Sequence, residues 1–103
     1  MRKAAEQCQT MAEVRLGVDA VDRELVTLLA ERFRFMDAAA RIKPERGQVR
    51  DEARKQQVIE NAAAHAAQLG VEPRIIEMLW ESLVEASIAH ELEKWDRTRQ
   101  AAE

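Results

Sequence analysis

The chain of 103 residues is short of the residues that make turns, disulfides and metal sites: it has 3 Gly, 2 Pro, 1 Cys and no Tyr. A single cysteine, Cys8, cannot form an internal disulfide, and the simplest compartment for such a chain is the reducing cytoplasm. No Cys/His cluster has metal-ligand spacing, so no bound metal is expected. A Gly-rich phosphate loop and internal repeats are both missing. No apolar run approaches the ~20 residues needed to span a bilayer, which argues against a membrane partner. The opening Met-Arg-Lys-Ala-Ala-Glu-Gln is too polar for a secretory signal. Net charge is −3, and the basic residues are scattered rather than gathered in a patch or stripe, which argues against nucleic acid as a partner.

What the chain does have is helix-forming residues. Ala, Leu, Glu, Arg and Gln dominate, and no stretch alternates apolar and polar residues long enough for a strand. The fold class is all-α, in one domain. Residues 1–9 read as a flexible lead. Thr10 followed by Glu13 reads as a capping box, opening a helix that runs to about Lys43, because Pro44 disfavours helical geometry in the residue before it. Residues 44–49 read as a polar loop. A second helix is expected from about Arg50 to Leu69, ended by Gly70 at C′. Pro73 suits the first turn of a third helix reaching about Arg99, with 100–103 fraying. The helical domain is thus 10–99.

The first helix is too long for the chain that carries it. Thirty-odd residues span roughly 50 Å, whereas a compact domain of this size has a radius of gyration of about 13 Å. Its apolar stripe, Val14, Val18, Val21, Leu25, Leu28 and Leu29, needs a partner, and a second copy of the chain is the cheapest one. Two long helices crossing in an intertwined homodimer are expected. A kinked helix in a monomer is the alternative, but no Pro or Gly pair lies between Val18 and Lys43 to kink it.

Charges interrupt the stripes. Beyond Leu28 the first helix places Arg32, Met36 and Lys43 along the line that is apolar upstream, with Arg32 and Lys43 three turns apart on one face. Buried cations are costly unless paired. The second helix starts Arg50-Asp51-Glu52-Ala53-Arg54, with Asp51 and Arg54 neighbours on one face that Val58 and Ala62 continue. The third carries Leu79, Trp80, Leu83, Val84, Ser87, Ile88, Glu91, Leu92 and Trp95, so Ser87 and Glu91 fall within its apolar stripe. Two readings stand at this point. One is an internal salt-bridge network pairing Arg32 or Lys43 with Asp51 or Glu91. The other is a cationic pocket in a helical bundle, suited to a small dicarboxylate that guanidinium forks grip bidentately. Trp80 and Trp95 read as core or edge packing. His65 and His90 read as surface or half-buried residues without a catalytic partner, and the run Glu91 to Arg99, apart from Glu91 itself, as mostly a solvated charged face.

In this order the residues resemble the all-helical chorismate mutases, the AroQ class. The resemblance rests on Arg15-Leu-Gly-Val-Asp19-Ala-Val-Asp22, Leu28-Leu-Ala-Glu-Arg32 and Ala40-Arg-Ile-Lys43 in the first helix. Val49-Arg-Asp51-Glu-Ala-Arg54 follows in the second, and Ser87 and Glu91 in the third. It covers roughly residues 11–95. It implies a Claisen-type rearrangement of chorismate to prephenate. That reaction is pericyclic and needs no nucleophile, metal or cofactor; it is promoted by holding the compact conformer and stabilising charge at the breaking ether bond. By resemblance, Arg32 binds one substrate carboxylate with Ser87 nearby, and Arg15 reaches in from the partner chain to complete that clamp. Arg54 meets the other carboxylate, Lys43 and Glu91 flank the ether oxygen, and Asp51 takes the hydroxyl. Two positions depart from the commonest bacterial pattern. Glu91 stands where many members carry Gln, and Lys55 where a hydroxyl-binding Glu is often found.

The same scaffold serves isochorismate-pyruvate lyases, which eliminate pyruvate through a related cyclic transition state. The segment Glu93-Lys-Trp-Asp-Arg-Thr-Arg99 resembles their tails, whereas Asp51, a partner for the hydroxyl of chorismate, favours the mutase. A 4-amino-4-deoxychorismate mutase is a further variant. The reading from another class is a non-catalytic helical dimerisation module, which explains the long helix but leaves Arg32, Lys43, Ser87 and Glu91 on apolar stripes without a role.

Overall fold

A computed structural model describes residues 3–102, and every regular element among them is helical. A single 3₁₀ turn, Ala5–Gln7, precedes α1, Met11–Ile42. A second 3₁₀ turn, Arg46–Gln48, precedes α2, Glu52–Gln68, and α3 is Pro73–Ala102. The expected flexible lead and frayed end include residues 1, 2 and 103, which lie outside the described residues. No described helix is long and apolar enough to cross a membrane.

The helix boundaries follow from local chemistry. Thr10 caps α1: its Oγ1 accepts from the Glu13 amide at 3.2 Å, and Glu13 Oε1 accepts in return from the Gln9 amide at 3.2 Å. Lys3 adds an ion pair to Glu13, and the Glu13 carboxyl is held below its ordinary pKa, first by that lysine and then by the Gln9 amide. The second helix begins two residues later than its composition suggests, because Asp51 serves as N-cap, its Oδ1 accepting from the Arg54 amide at 3.0 Å. Its end is a Schellman closure. Gly70 adopts φ +78°, its amide donates to Ala67 O, and the Val71 amide donates to Ala66 O. A side chain at that φ would cost about 1 kcal/mol or more.

The chain forms two compact units, one up to Arg34 and one from Phe35 onward. The second contains a helical hairpin in which α2 packs on α3. Its centre is Val49, Ile59, Val84 and Ile88, with Val58, Trp80, Leu92 and Trp95 packed against it. Burying each of the larger aliphatic side chains contributes about 1.5–3 kcal/mol. Val49 is a correction to the loop reading: residues 44–49 are polar in composition, but Val49 is 4% exposed and plugs the hairpin core. Likewise α2 buries Ile59, Ala63 and Ala66, while Leu79 of the expected α3 stripe is 57% exposed.

The first unit contrasts with the second. In this single chain Val14, Val18, Val21, Leu25 and Leu28 are 38–60% exposed. A groove of about 470 Å³ lies between the 3₁₀ turn and the start of α1, lined by Ala4, Ala5, Cys8, Val14, Val18 and Val21 among others. The stripe read from the sequence is therefore present on α1 and is not covered by the described residues of its own unit.

Candidate active site

Five of the seven site residues singled out from the sequence, Lys43, Asp51, Arg54, Ser87 and Glu91, fall in the second unit. Lys43 lies just past the end of α1, and Glu91 lies in the middle of α3. Their side chains meet, with Lys43 Nζ 2.8 Å from Glu91 Oε2. The carboxylate is 5% exposed and the ammonium 31%, so the pair is buried on one side and open on the other. One turn before Glu91, Ser87 is also buried and donates to Leu83 O at 2.7 Å. A serine that bonds back to its own helix can stay in an apolar stripe. Among the described residues, no buried side-chain nitrogen or oxygen lacks a hydrogen-bond partner.

At the start of α2, Asp51 and Arg54 are joined through the cap, not through their side chains. The Arg54 guanidinium instead donates to Gln57 Oε1 at 2.6 Å, and both residues are exposed. Lys55, one residue further, turns to α3. Its Nζ lies 2.7 Å from Glu81 and 2.8 Å from Glu85, and its side chain is 10% exposed. Arg50 meets Glu85 from the other side at 2.8 Å. The Glu85 carboxyl is held down to about 2, first by the Arg50 hydrogen bonds and then by Lys55. This network pins the entry of α2, the segment carrying Asp51 and Arg54, to α3.

The remaining two site residues, Arg15 and Arg32, belong to the first unit. Arg15 is exposed on α1, and Arg32 is half-buried and engaged in interactions of its own. The salt-bridge reading is thus met at Lys43 and Glu91, while Asp51 acts as a cap.

Several contacts in the second unit were not legible in the sequence. His90 Nε2 lies 2.7 Å from Asp37 Oδ1, so this histidine has a carboxylate partner after all, tying the last turns of α1 to α3. The segment Glu93 to Arg99 is not simply a solvated face. Asp96 forms a two-pronged pair with Arg46, at 2.8 and 3.2 Å. Trp95 packs on the core as expected, but its Nε1 also donates to the Lys43 carbonyl at 3.0 Å. Arg99 donates to the carbonyls of Ala40 and Lys43 at 2.7 and 2.6 Å. Pro44 was the available signal: with no N–H to give, it leaves an upstream carbonyl in need of another donor.

Chemically, the second unit offers a half-buried ammonium beside a buried carboxylate, with a guanidinium and a carboxylate at the start of a neighbouring helix. Among the described residues no group of three His, Cys, Asp or Glu side chains could hold a metal ion. Residues 14–92 match the model of the chorismate mutase type II family. The chain is 27% identical over 100 residues to an isochorismate pyruvate lyase of Pseudomonas aeruginosa, an alignment covering 97% of this chain and 99% of that protein.

Proposed function

The chain belongs to the chorismate mutase type II family, and we propose that it rearranges chorismate to prephenate in a site built from two copies of the chain. The observation that carries this reading is the Lys43–Glu91 pair. A buried ion pair is a poor source of stability, because desolvation offsets most of its Coulomb gain. Its retention on an apolar stripe is accounted for by chemistry at that point.

The reaction breaks one C–O bond and forms one C–C bond within a single molecule. Negative charge grows on the ether oxygen as the C–O bond lengthens. Lys43 donates to that oxygen, and Glu91, which accepts from Lys43 through Oε2, adds a second donor through its other oxygen when that oxygen carries a proton, since an ionised carboxylate has none to give. Both act where charge develops, so they favour the transition state over the bound substrate. Arg32 and Arg54 take the two substrate carboxylates, with Ser87 assisting Arg32, and hold the compact conformer in which the reacting carbons approach. Asp51 accepts from the ring hydroxyl. Lys55, committed to Glu81 and Glu85, leaves that contact to Asp51. The uncovered stripe Val14 to Leu28 pairs with the same stripe of a second copy, and Arg15 from that copy completes the carboxylate clamp.

A second reading is favoured by the similarity to the lyase along nearly the full length of both chains. On isochorismate the same groups would stabilise the same oxygen while the C–O bond breaks and a ring hydrogen passes to the departing enolpyruvyl group, releasing pyruvate. Incubation with chorismate and with isochorismate separately, with products identified, decides between them. Prephenate from chorismate at the higher kcat/KM supports the mutase, and salicylate with pyruvate from isochorismate at the higher kcat/KM supports the lyase. Turnover of neither would overturn both.

A further inference from the structure

Glu91, Trp95 and Arg99 lie one turn apart on a single face of α3, and all three hold Lys43. Glu91 holds the ammonium at 2.8 Å. Trp95 Nε1 donates to the Lys43 carbonyl at 3.0 Å, and one Arg99 nitrogen donates to the same carbonyl at 2.6 Å. The other Arg99 nitrogen donates to Ala40 O at 2.7 Å, and the guanidinium carbon stands 4.4 Å from the centre of the Trp95 ring. We propose that Trp95 and Arg99 are positioning residues for Lys43, fixing its backbone so that its ammonium is aimed from a rigid base.

A proline and a buried carbonyl together explain why such a grip is needed. In a continuing helix the amide of residue 44 would donate to Ala40 O. Residue 44 is proline and has no amide hydrogen. Ala40 is fully buried, so water cannot serve its carbonyl, and an unmet buried carbonyl is costly. Arg99 supplies the missing donor. Its second prong then reaches the first carbonyl beyond the helix, that of Lys43, which Trp95 also meets. Past the proline, Asp96 fixes Arg46, and Glu45 and Gln48 close a reciprocal capping box. The segment carrying Lys43 is therefore fastened to α3 on both sides of Pro44. A lysine on an unfastened loop would spend rotational freedom each time it met the ether oxygen; here the backbone part of that cost is met in advance.

The inference rests on the proposed role of Lys43, and the test separates the two. Trp95→Phe keeps the ring and removes the donor. Arg99→Gln removes the fork, and Arg99→Lys retains a single donor in case the glutamine variant folds poorly. Each variant of the full-length chain is measured in two ways. The first is kcat and KM on whichever substrate the wild type turns over. The second is amide hydrogen exchange of residues 43–49 without substrate. We expect kcat to fall about tenfold in Trp95→Phe and Arg99→Gln, less in Arg99→Lys, with KM changed less than kcat. Exchange over 43–49 should quicken in the same order. In a Lys43→Ala background, Trp95→Phe should cost little further kcat, because nothing is left to aim. An equal loss of kcat in both backgrounds would overturn the positioning role and leave Trp95 as packing. Unchanged exchange over 43–49 would overturn the grip itself. Turnover of neither substrate by the wild type would overturn the functional reading, while exchange still decides whether Trp95 and Arg99 hold the segment.

Discussion

Lys43 Nζ lies 2.8 Å from Glu91 Oε2, across 48 residues of chain, and the carboxylate is almost completely shielded while the ammonium is partly open. The arrangement sets a direction for catalysis. The ammonium faces the open side, where an oxygen gaining negative charge can reach it, and the shielded Glu91 carboxyl group lies against it. Removing Lys43 should therefore lower kcat by about 10²–10³-fold, more than it raises KM. The pair also bears on folding: Lys43→Ala leaves the buried Glu91 carboxyl group without its partner and lowers Tm as well. The double variant Lys43→Ala/Glu91→Gln separates the two effects, recovering Tm but not kcat. Near-normal kcat in Lys43→Ala would remove the ether-oxygen role.

Glu91 should act through a hydrogen bond that it donates. A carboxylate can accept from Lys43 but cannot donate to an ether oxygen. Glu91→Gln supplies a permanent donor of the same shape, so its kcat should equal or exceed that of the wild type. A folded Glu91→Gln enzyme without activity would show that Glu91 works as an anion.

The exposed stripe of α1 should make the protein an obligate dimer. Five aliphatic residues, Val14 to Leu28, are 38–60% exposed in the single chain, more contiguous apolar surface than a stable monomer ordinarily leaves to water. Val18→Asp with Leu25→Asp should abolish folding or leave a molten monomer, and melting of the wild type should depend on protein concentration. Light scattering that finds a folded, active wild-type monomer at low concentration would defeat the idea.

Arg15 should act on the partner's site. Arg15→Ala and Arg32→Ala homodimers are each expected to be nearly inactive. A mixed dimer would hold one site with both arginines intact, so refolding the two variants together should restore up to a quarter of wild-type activity, half the dimers being mixed and each having one of two sites working. No recovery, with one variant isotopically labelled and the mixed dimers then demonstrated by mass, would place both arginines in one chain's site.

The helix count, the Thr10 and Gly70 signals and the Lys43, Ser87 and Glu91 interruptions were legible because they depend on residues close in sequence or on one helical face. Thr10 needs only Glu13 to cap a helix, and Gly70 needs only its own missing Cβ. The start of α2 was misread because Asp51 has two possible uses, as a first-turn acid or as a cap, and the cap shortens the helix by two residues. Val49 was hidden in a polar loop because burial depends on the hairpin it plugs. The roles of Trp95, Asp96 and Arg99 were hidden for the same reason: their partners, at 40, 43 and 46, are fifty or more residues away, and a charged run near a chain end gives no local sign of which carbonyls it will meet. Lys55, read as a departure from a pattern of binding residues, is instead satisfied by Glu81 and Glu85, a pairing that periodicity on α2 alone cannot show.

The last prediction concerns that pairing and acid stability. The Glu85 carboxyl is shifted from its ordinary 4.5 down to about 2, first by the Arg50 hydrogen bonds and then by Lys55. A depressed folded-state pKa means the folded protein binds this proton less readily than the unfolded chain. The stability it confers is fully present above about pH 4.5 and is lost as pH falls toward 2. Because the Glu85 side chain is 41% exposed, salt should screen part of the effect. Asp96 and Glu13 are also held below their ordinary values, by Arg46 and Lys3 respectively, so acid sensitivity of the wild type alone would not identify Glu85. The difference between wild type and Glu85→Gln does. The variant should melt lower than wild type at pH 6, and the gap should narrow steadily between pH 4.5 and 2 and shrink in high salt at pH 6. A gap that stays constant from pH 6 to 2 would mean that it comes from the amide that replaces the carboxyl group, and that Arg50 and Lys55 gain nothing from the charge of Glu85.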